Sequence, residues 1–481
     1  MRAMPPMTAG SDKVVLVGLD FGSTTTSMLA MQAEVASNCA TGRMELRNPQ
    51  PLVRAEPIFT PVVDGRLDLA AIRRQISRWL AEGGIRHDRI FAGGAIVTGL
   101  AAQRDNAESL AALIVELLGD AVVATADDPR LEAWLAFMGG SAALSRAFPG
   151  QAFINLDIGG GTTNPAVGVG GNVSATGCYF VGARHFEFEP GGYCLRHVTR
   201  FGRAILDHLA IARREGDTLS AADVGAITDY FVGALVAMVE GDGSFFGNET
   251  GRLIAQRALE AAPDRPLTVT FSGGVGELVY AIANGAAAPP TTFYGDLGID
   301  LALAILDNPR LARDVRCFVP EHRGRATVQG LTLNNTEISG NTLFLSDADA
   351  LPLRDLPVVA SLSSQSDPDA LSGALQLAGR SQRGACIHLV WDDAHPGFEQ
   401  VKGLGEAVSK ALDEADLPDS ASLVILTTAN VGKALGNYAT RWRTSARRLI
   451  VIDEIPVRDA QFVNLGRLQN GIVPVSFYGM V

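Results

Sequence analysis

The chain has 481 residues, 47% of them hydrophobic and 19% charged, with a mean hydropathy of +0.16. That is too long for one compact core, with about three domains expected from typical sizes, and too apolar for wholesale disorder. A formal net charge of −12 argues against general nucleic-acid binding, which needs clustered Lys and Arg against phosphate.

The opening residues, 1–13, lack the apolar stretch of a secretory signal. Residues 14–19 form a β-branched run that ends at Asp20 and meets Gly22-Ser23-Thr24-Thr25-Thr26. That pattern predicts a buried strand and a tight turn. Residues 68–82 carry Leu69, Ile72, Ile76 and Leu80 at helical spacing, with Gly83-Gly84 as the stop. Leu110, Leu113, Ile114 and Leu117 repeat that pattern up to Gly119. This apolar region is broken by Glu116 and Asp120, so it is not a membrane span. Residues 152–158 predict a second buried strand, followed by Gly159-Gly160-Gly161-Thr162-Thr163 and a returning hairpin arm over 164–169. Ser220 with Asp223 resembles a capping box opening a long helix, with Asp in place of Glu. A third strand over 267–271 runs into Ser272-Gly273-Gly274-Val275-Gly276-Glu277. Around residues 351–369 the chain turns Pro- and Ser/Asp-rich and predicts a linker or long loop. Beyond it, strands over 386–391, 423–426 and 449–452 alternate with helical segments, a parallel α/β pattern.

The chemistry lies in the glycine turns. Asp20 and Asp157 each sit at a strand end, before glycines and then hydroxyls. Glycine lets backbone N–H groups approach phosphate oxygens closely, and the hydroxyls add donors. A carboxylate repels bare phosphate, so the acids make sense with Mg²⁺ between them, held directly or through water. The turn after Ser272 suits a base or ribose resting on glycine backbone. Either acid–glycine–hydroxyl turn alone is also what a capped hairpin looks like. Two of them with the third downstream favour nucleotide binding.

This ordered set resembles the actin, sugar-kinase and heat-shock-chaperone ATPase superfamily. The resemblance implies an α/β protein with two ribonuclease-H-like lobes and a C-terminal α/β domain, over 12–148, 149–350 and 351–481. ATP or ADP with Mg²⁺ would lie in the cleft. Asp20 and Asp157 would act catalytically and at the metal. Gly22, Ser23, Thr24 and Thr25 would form the first phosphate loop, and Gly159, Gly160, Gly161, Thr162 and Thr163 the second. Ser272, Gly273, Gly274 and Gly276 would form the adenosine loop. Glu132, on the segment where the superfamily has its first connecting helix, would orient a metal-bound water, or else be an ordinary exposed helix acid.

A closer likeness covers nearly the whole chain. Gly18 to Thr26, Ile96 to Gly99, Asn155 to Asn164, Leu267 to Glu277, Gly432 to Gly436, Val451 to Glu454 and Ile472 to Val475 resemble the ethanolamine ammonia-lyase reactivating-factor family. The tail segments separate that family from sugar kinases and filament formers. The resemblance implies a slow ATPase chaperone that releases damaged cobalamin from the lyase so that intact adenosylcobalamin can enter. The implied partner is the lyase, with neither nucleic acid nor membrane. The implied location is the cytoplasm, with association with an ethanolamine-utilisation microcompartment left open. A small-molecule kinase, or a non-catalytic actin-like protein, is the alternative. Departures at Gly182-Ala183-Arg184-His185 and over 327–335 are expected to bear on partner contacts more than on ATP.

Other patterns point elsewhere with less force. Five cysteines, widely spaced and without Cys-x-x-Cys, argue against a disulfide framework or an iron–sulfur cluster. Cys178, His185, Cys194 and His197 match no familiar zinc spacing. Asp393-Ala394-His395 is one residue short of a cobalamin signature, and Gly432-Lys433-Ala434 lacks the hydroxyl of a P-loop.

Overall fold

The computed structural model describes residues 12–480 except 40–42, 64, 103–104, 120–121, 127, 261–265, 341, 394, 416–417, 419–420 and 445–446. The opening residues 1–11, Asp120 and Ala394 therefore lie outside the described residues.

The first sheet is built from β1 (Asp12–Phe21), β2 (Thr25–Ser37), β3 (Met44–Arg54), β4 (Ile90–Val97) and β5 (Val122–Ala126) in the order β3-β2-β1-β4-β5. β2 runs antiparallel to β1 and β3, while β4 and β5 are parallel to β1 and β4. β1 reads as a nearly continuous apolar run because both its faces are covered. One face meets the Leu69–Glu82 and Ala107–Leu118 helices through Ile72, Ile76, Trp79, Leu110 and Ile114. Asp68 caps the first of these helices, and Gly119, at φ 77°, ends the second. The other face meets the Ala326–Leu333 helix. Gly18 and Gly94 let that helix settle: a Cβ on Gly18 would lie 2.2 Å from Thr332 Oγ1, and on Gly94 2.5 Å from Leu331 Cδ1.

The second sheet repeats the order with β6 (Ala152–Ile158), β7 (Thr163–Val169), β8 (Asn172–Thr176) and β9 (Leu267–Ser272), arranged β8-β7-β6-β9. β7 is antiparallel to its neighbours and β9 is parallel to β6. Its core is closed by the Ala221–Glu240 helix, whose Val224, Ile227, Phe231, Leu235 and Met238 are all buried. The Ser220–Asp223 capping box forms as the sequence predicts, with both bonds near 3 Å. Among the described residues this is the one helix long and apolar enough to cross a membrane by length and composition, and 61% of its most apolar window is buried.

Two helical segments join the lobes. The Pro129–Ala136 helix starts at Asp128, whose Oδ1 accepts from Leu131 N, and passes through a π-helical turn, Phe137–Ser141, into Ala142–Ala147. The Ala326–Leu333 helix crosses it at glycine contacts. A Cβ on Gly139 would stand 1.9 Å from Ala326 O, and on Gly330 2.1 Å from Leu135 O.

The third sheet has eight strands: β10 (Thr336–Ile338), β11 (Phe344–Leu345), β12 (Leu353–Ser363), β13 (Gly384–Val390), β14 (Ser422–Thr427), β15 (Arg448–Ile452), β16 (Ala460–Leu465) and β17 (Pro474–Met480). Their order is β10-β17-β16-β12-β13-β14-β15-β11. The β12–β15 stretch is parallel, with helices between successive strands. The expected linker after residue 351 is instead β12. Pro357 is tolerated because it sits where β12 changes partner, from antiparallel β16 to parallel β13.

Candidate active site

The two lobe sheets present their first hairpins to one another. β1 ends at Asp20-Phe21, and its turn closes with Gly22 N donating to Thr25 O at 2.9 Å. β6 ends at Asp157-Ile158, and Gly159 N donates to Thr162 O at 2.9 Å. The two turns are thus built alike. Between them and the start of the Gly273–Ala283 helix lies a cleft of about 300 Å³.

Of the residues singled out by sequence, Asp20, Gly22, Ser23, Thr24, Thr25, Glu132, Asp157, Gly159, Gly160, Gly161, Thr162, Gly273 and Gly274 line this cleft. Glu132 is only 8% exposed, so it is not an ordinary surface acid. Three others stand behind the wall. Thr163 is fully buried and its hydroxyl donates to Val181 O. Gly276 packs on Phe271. Ser272 accepts from Asn155 Nδ2 at 2.8 Å and donates to Asp157 Oδ1 at 2.5 Å, so it holds the acid in place. Gly273 must be glycine, because its φ is +78° and a Cβ would lie 2.5 Å from Ile158 O.

The floor is electrostatically unbalanced. Burial, then the facing Asp157 carboxylate, pushes Asp20 up to about 7 although Thr98 hydrogen-bonds to it. Burial pushes Asp157 to about 6 against the bonds from Ser272 and Thr327. Asp20 Oδ1 is buried with no hydrogen-bond partner. Paired acids with an orphaned oxygen fit a hard cation bridging to an anionic ligand, so the residues present suit Mg²⁺ with phosphate. Among the described residues, no cluster of three or more His, Cys, Asp or Glu could hold a metal unaided. His185, from the weighed Cys/His set, is buried against Thr199, and burial pushes it down to about 4.

Sequence reasoning missed several wall residues: Pro57, Tyr294, Asp296, Gly298, Arg325 and Thr327. Asp296-Leu297-Gly298 repeats the acid–glycine pattern, but no strand precedes it to flag a turn. The two segments that depart from the family pattern also reach the cleft. Ala183 lines the cleft and Arg184 N donates to Gly160 O at 2.6 Å. Thr327 touches Asp157. Both departing segments touch the cleft loops.

The family model described as "Ethanolamine utilisation protein EutA" matches residues 12–481. A protein of Salmonella typhimurium named ethanolamine ammonia-lyase reactivase EutA is 30% identical over 474 residues, covering 96% of this chain and 97% of that one. Its namesake in Escherichia coli is 31% identical over 480 residues, with the same coverages. Among solved structures, an exopolyphosphatase-like protein matches at 17% identity and a TM-score of 0.36, over 67% of this chain and 86% of that one.

Proposed function

The chain belongs to the EutA family of ethanolamine utilisation proteins, and on that premise we propose that it is an ATP-dependent reactivase of ethanolamine ammonia-lyase. It releases damaged cobalamin from the inactivated lyase so that intact adenosylcobalamin can rebind. The observation that carries the nucleotide part is the pair of matching turns facing each other over Asp20 and Asp157.

In this reading the backbone of 22–25 and 159–162 cradles the phosphates, with the Ser23, Thr24 and Thr162 hydroxyls as further donors. Asp20 and Asp157 would hold Mg²⁺, which would neutralise phosphate charge. Glu132 orients the attacking water. The Gly273–Gly274 backbone carries the adenosine side, with Tyr294 and Asp296 as further wall residues of the same cleft. Nucleotide state sets the angle between the lobes, and the crossing at Gly139 and Gly330 is the pivot. A lyase that binds the two angles unequally is driven by that shift, so hydrolysis can be slow.

The test is recovery of ammonia release from a lyase inactivated with cyanocobalamin, given this protein, ATP, Mg²⁺ and fresh adenosylcobalamin. Recovery that disappears without ATP is expected. Equal recovery without ATP removes the nucleotide from the mechanism, and no recovery removes the reactivase role.

A further inference from the structure

Away from the cleft, β15 runs into Asp453 and Glu454, and both carboxylates turn inward. Asp453 has no exposed surface and the Glu454 side chain is 8% exposed. Asp453 Oδ1 and Glu454 Oε2 are buried without a hydrogen-bond partner. Both lie against Gly340, where a Cβ would stand 2.8 Å from the first and 2.3 Å from the second. The two unpaired oxygens therefore lie on the same side of Gly340.

Asp453 Oδ2 accepts from Thr342 N at 3.2 Å, which leaves Asp453 Oδ1 and Glu454 Oε2 as the two unserved oxygens. Thr342 Oγ1 faces Asp453 Oδ2 and lies 2.7 Å from Asn430 Oδ1. The Asn430 side chain also hydrogen-bonds Glu454. Only its N–H can donate to a carboxylate, which leaves its oxygen toward Thr342. One hydroxyl proton cannot serve both Asn430 and Asp453. Among the described residues, the counter-charge is Arg43 of the first lobe, with Nε 4.0 Å from Glu454 Oε1 and a side chain 57% exposed. An exposed, distant partner compensates a buried pair of carboxylates poorly. Burial raises both carboxyls, and Asp453 raises Glu454 further.

We propose that Asp453, Glu454, Asn430 and Thr342 form a second cation site, for a hard divalent ion of the calcium type. The donors are all oxygen. Two carry charge, and the neutral amide and hydroxyl oxygens suit calcium better than magnesium, which keeps more of its water. The donors come from three segments: the β10–β11 connection, the loop after β14 and the end of β15. The ion therefore ties the edge of the third sheet together, and through Glu454 and Arg43 it touches the first lobe. This site shares no residue with the proposed nucleotide cleft and does not depend on that reading.

The test is calorimetric titration of the full-length, nucleotide-free protein with calcium chloride. One saturable site per chain is expected, with affinity reduced at least tenfold by Asp453→Asn and by Glu454→Gln. Asp157→Asn should leave this site unchanged. If Asp453→Asn does not fold, Glu454→Gln carries the same comparison. Calcium should also raise the melting temperature of the wild-type protein. Absence of saturable binding by folded wild-type protein overturns the proposal. So does binding that folded Glu454→Gln retains at full affinity. Either result would leave a carboxyl pair that shares a proton instead.

Discussion

Thr24 and Gly160 belong to different lobes, yet a Cβ on Gly160 would stand 2.2 Å from Thr24 Oγ1. That hydroxyl is buried without a hydrogen-bond partner. Two loops that the sequence places far apart thus meet with only a glycine's clearance. Gly160→Ala must push Thr24 aside and part the loops, since Arg184 Cβ closes the other direction at 3.2 Å. Affinity for an ATP analogue is expected to fall about tenfold or more by titration calorimetry, a loss of about 1.4 kcal/mol. Unchanged affinity would mean that the loops do not share a ligand.

Asp157→Ala removes one of the two acids on the cleft floor. ATP hydrolysis is expected to fall to background while circular dichroism stays that of the wild type. Normal turnover by the folded variant would sink the role given to this residue.

Ser272→Ala should act through Asp157 without touching ligand. The Ser272 hydroxyl donates to Asp157 Oδ1 and holds its pKa down. Without it the carboxyl protonates at higher pH, so the acid limb of the hydrolysis profile should move upward. A fall in rate with no movement of that limb would point to a packing role instead.

The Asp20 carboxyl also predicts a pH dependence of stability. Its folded value of about 7 lies above its ordinary 3.8. Between about pH 4 and 7 the folded chain holds a proton that the unfolded chain has released. Stability of the nucleotide-free protein therefore falls as pH rises through that window and levels above it. The change should be on the order of 4 kcal/mol, at about 1.36 kcal/mol per pKa unit. Melting temperatures at pH 5 and 7.5 should differ less in Asp20→Asn than in wild type. Equal slopes in the two proteins would contradict the assignment.

Gly139→Ala tests the crossing between the lobes. The added methyl would meet Ala326 O at 1.9 Å and Gly330 N at 2.5 Å, both backbone atoms that cannot rotate away. Overpacking of this kind costs about 1–3 kcal/mol, so the melting temperature should drop by several degrees. An unchanged melting temperature would show that the two helices can separate freely.

Much of this molecule is legible in the chain alone. Residues 152–158 are continuously apolar because β6 is buried on both faces, and the strand falls there without shift. Asp68 and Ser220 announce helix starts because their side chains satisfy orphan N–H groups locally. The acid–glycine–hydroxyl turns are equally local, since the residue types needed for tight backbone are adjacent in sequence. What the sequence could not determine depends on contacts between distant segments. Proline and serine around residue 357 look like a linker, but β12 is held by strands on both sides. Thr163 and Ser272 carry suitable hydroxyls, but strand direction turns them behind the cleft wall. Glu132 reads equally as a cleft acid or an exposed helix acid until burial at the lobe junction places it in the cleft. Arg325 and Thr327 arrive there only because the glycines at 18, 94, 139 and 330 let one helix press against both lobes. Local chemistry is written residue by residue. Which side chains face one another is decided by how closely two backbones can approach.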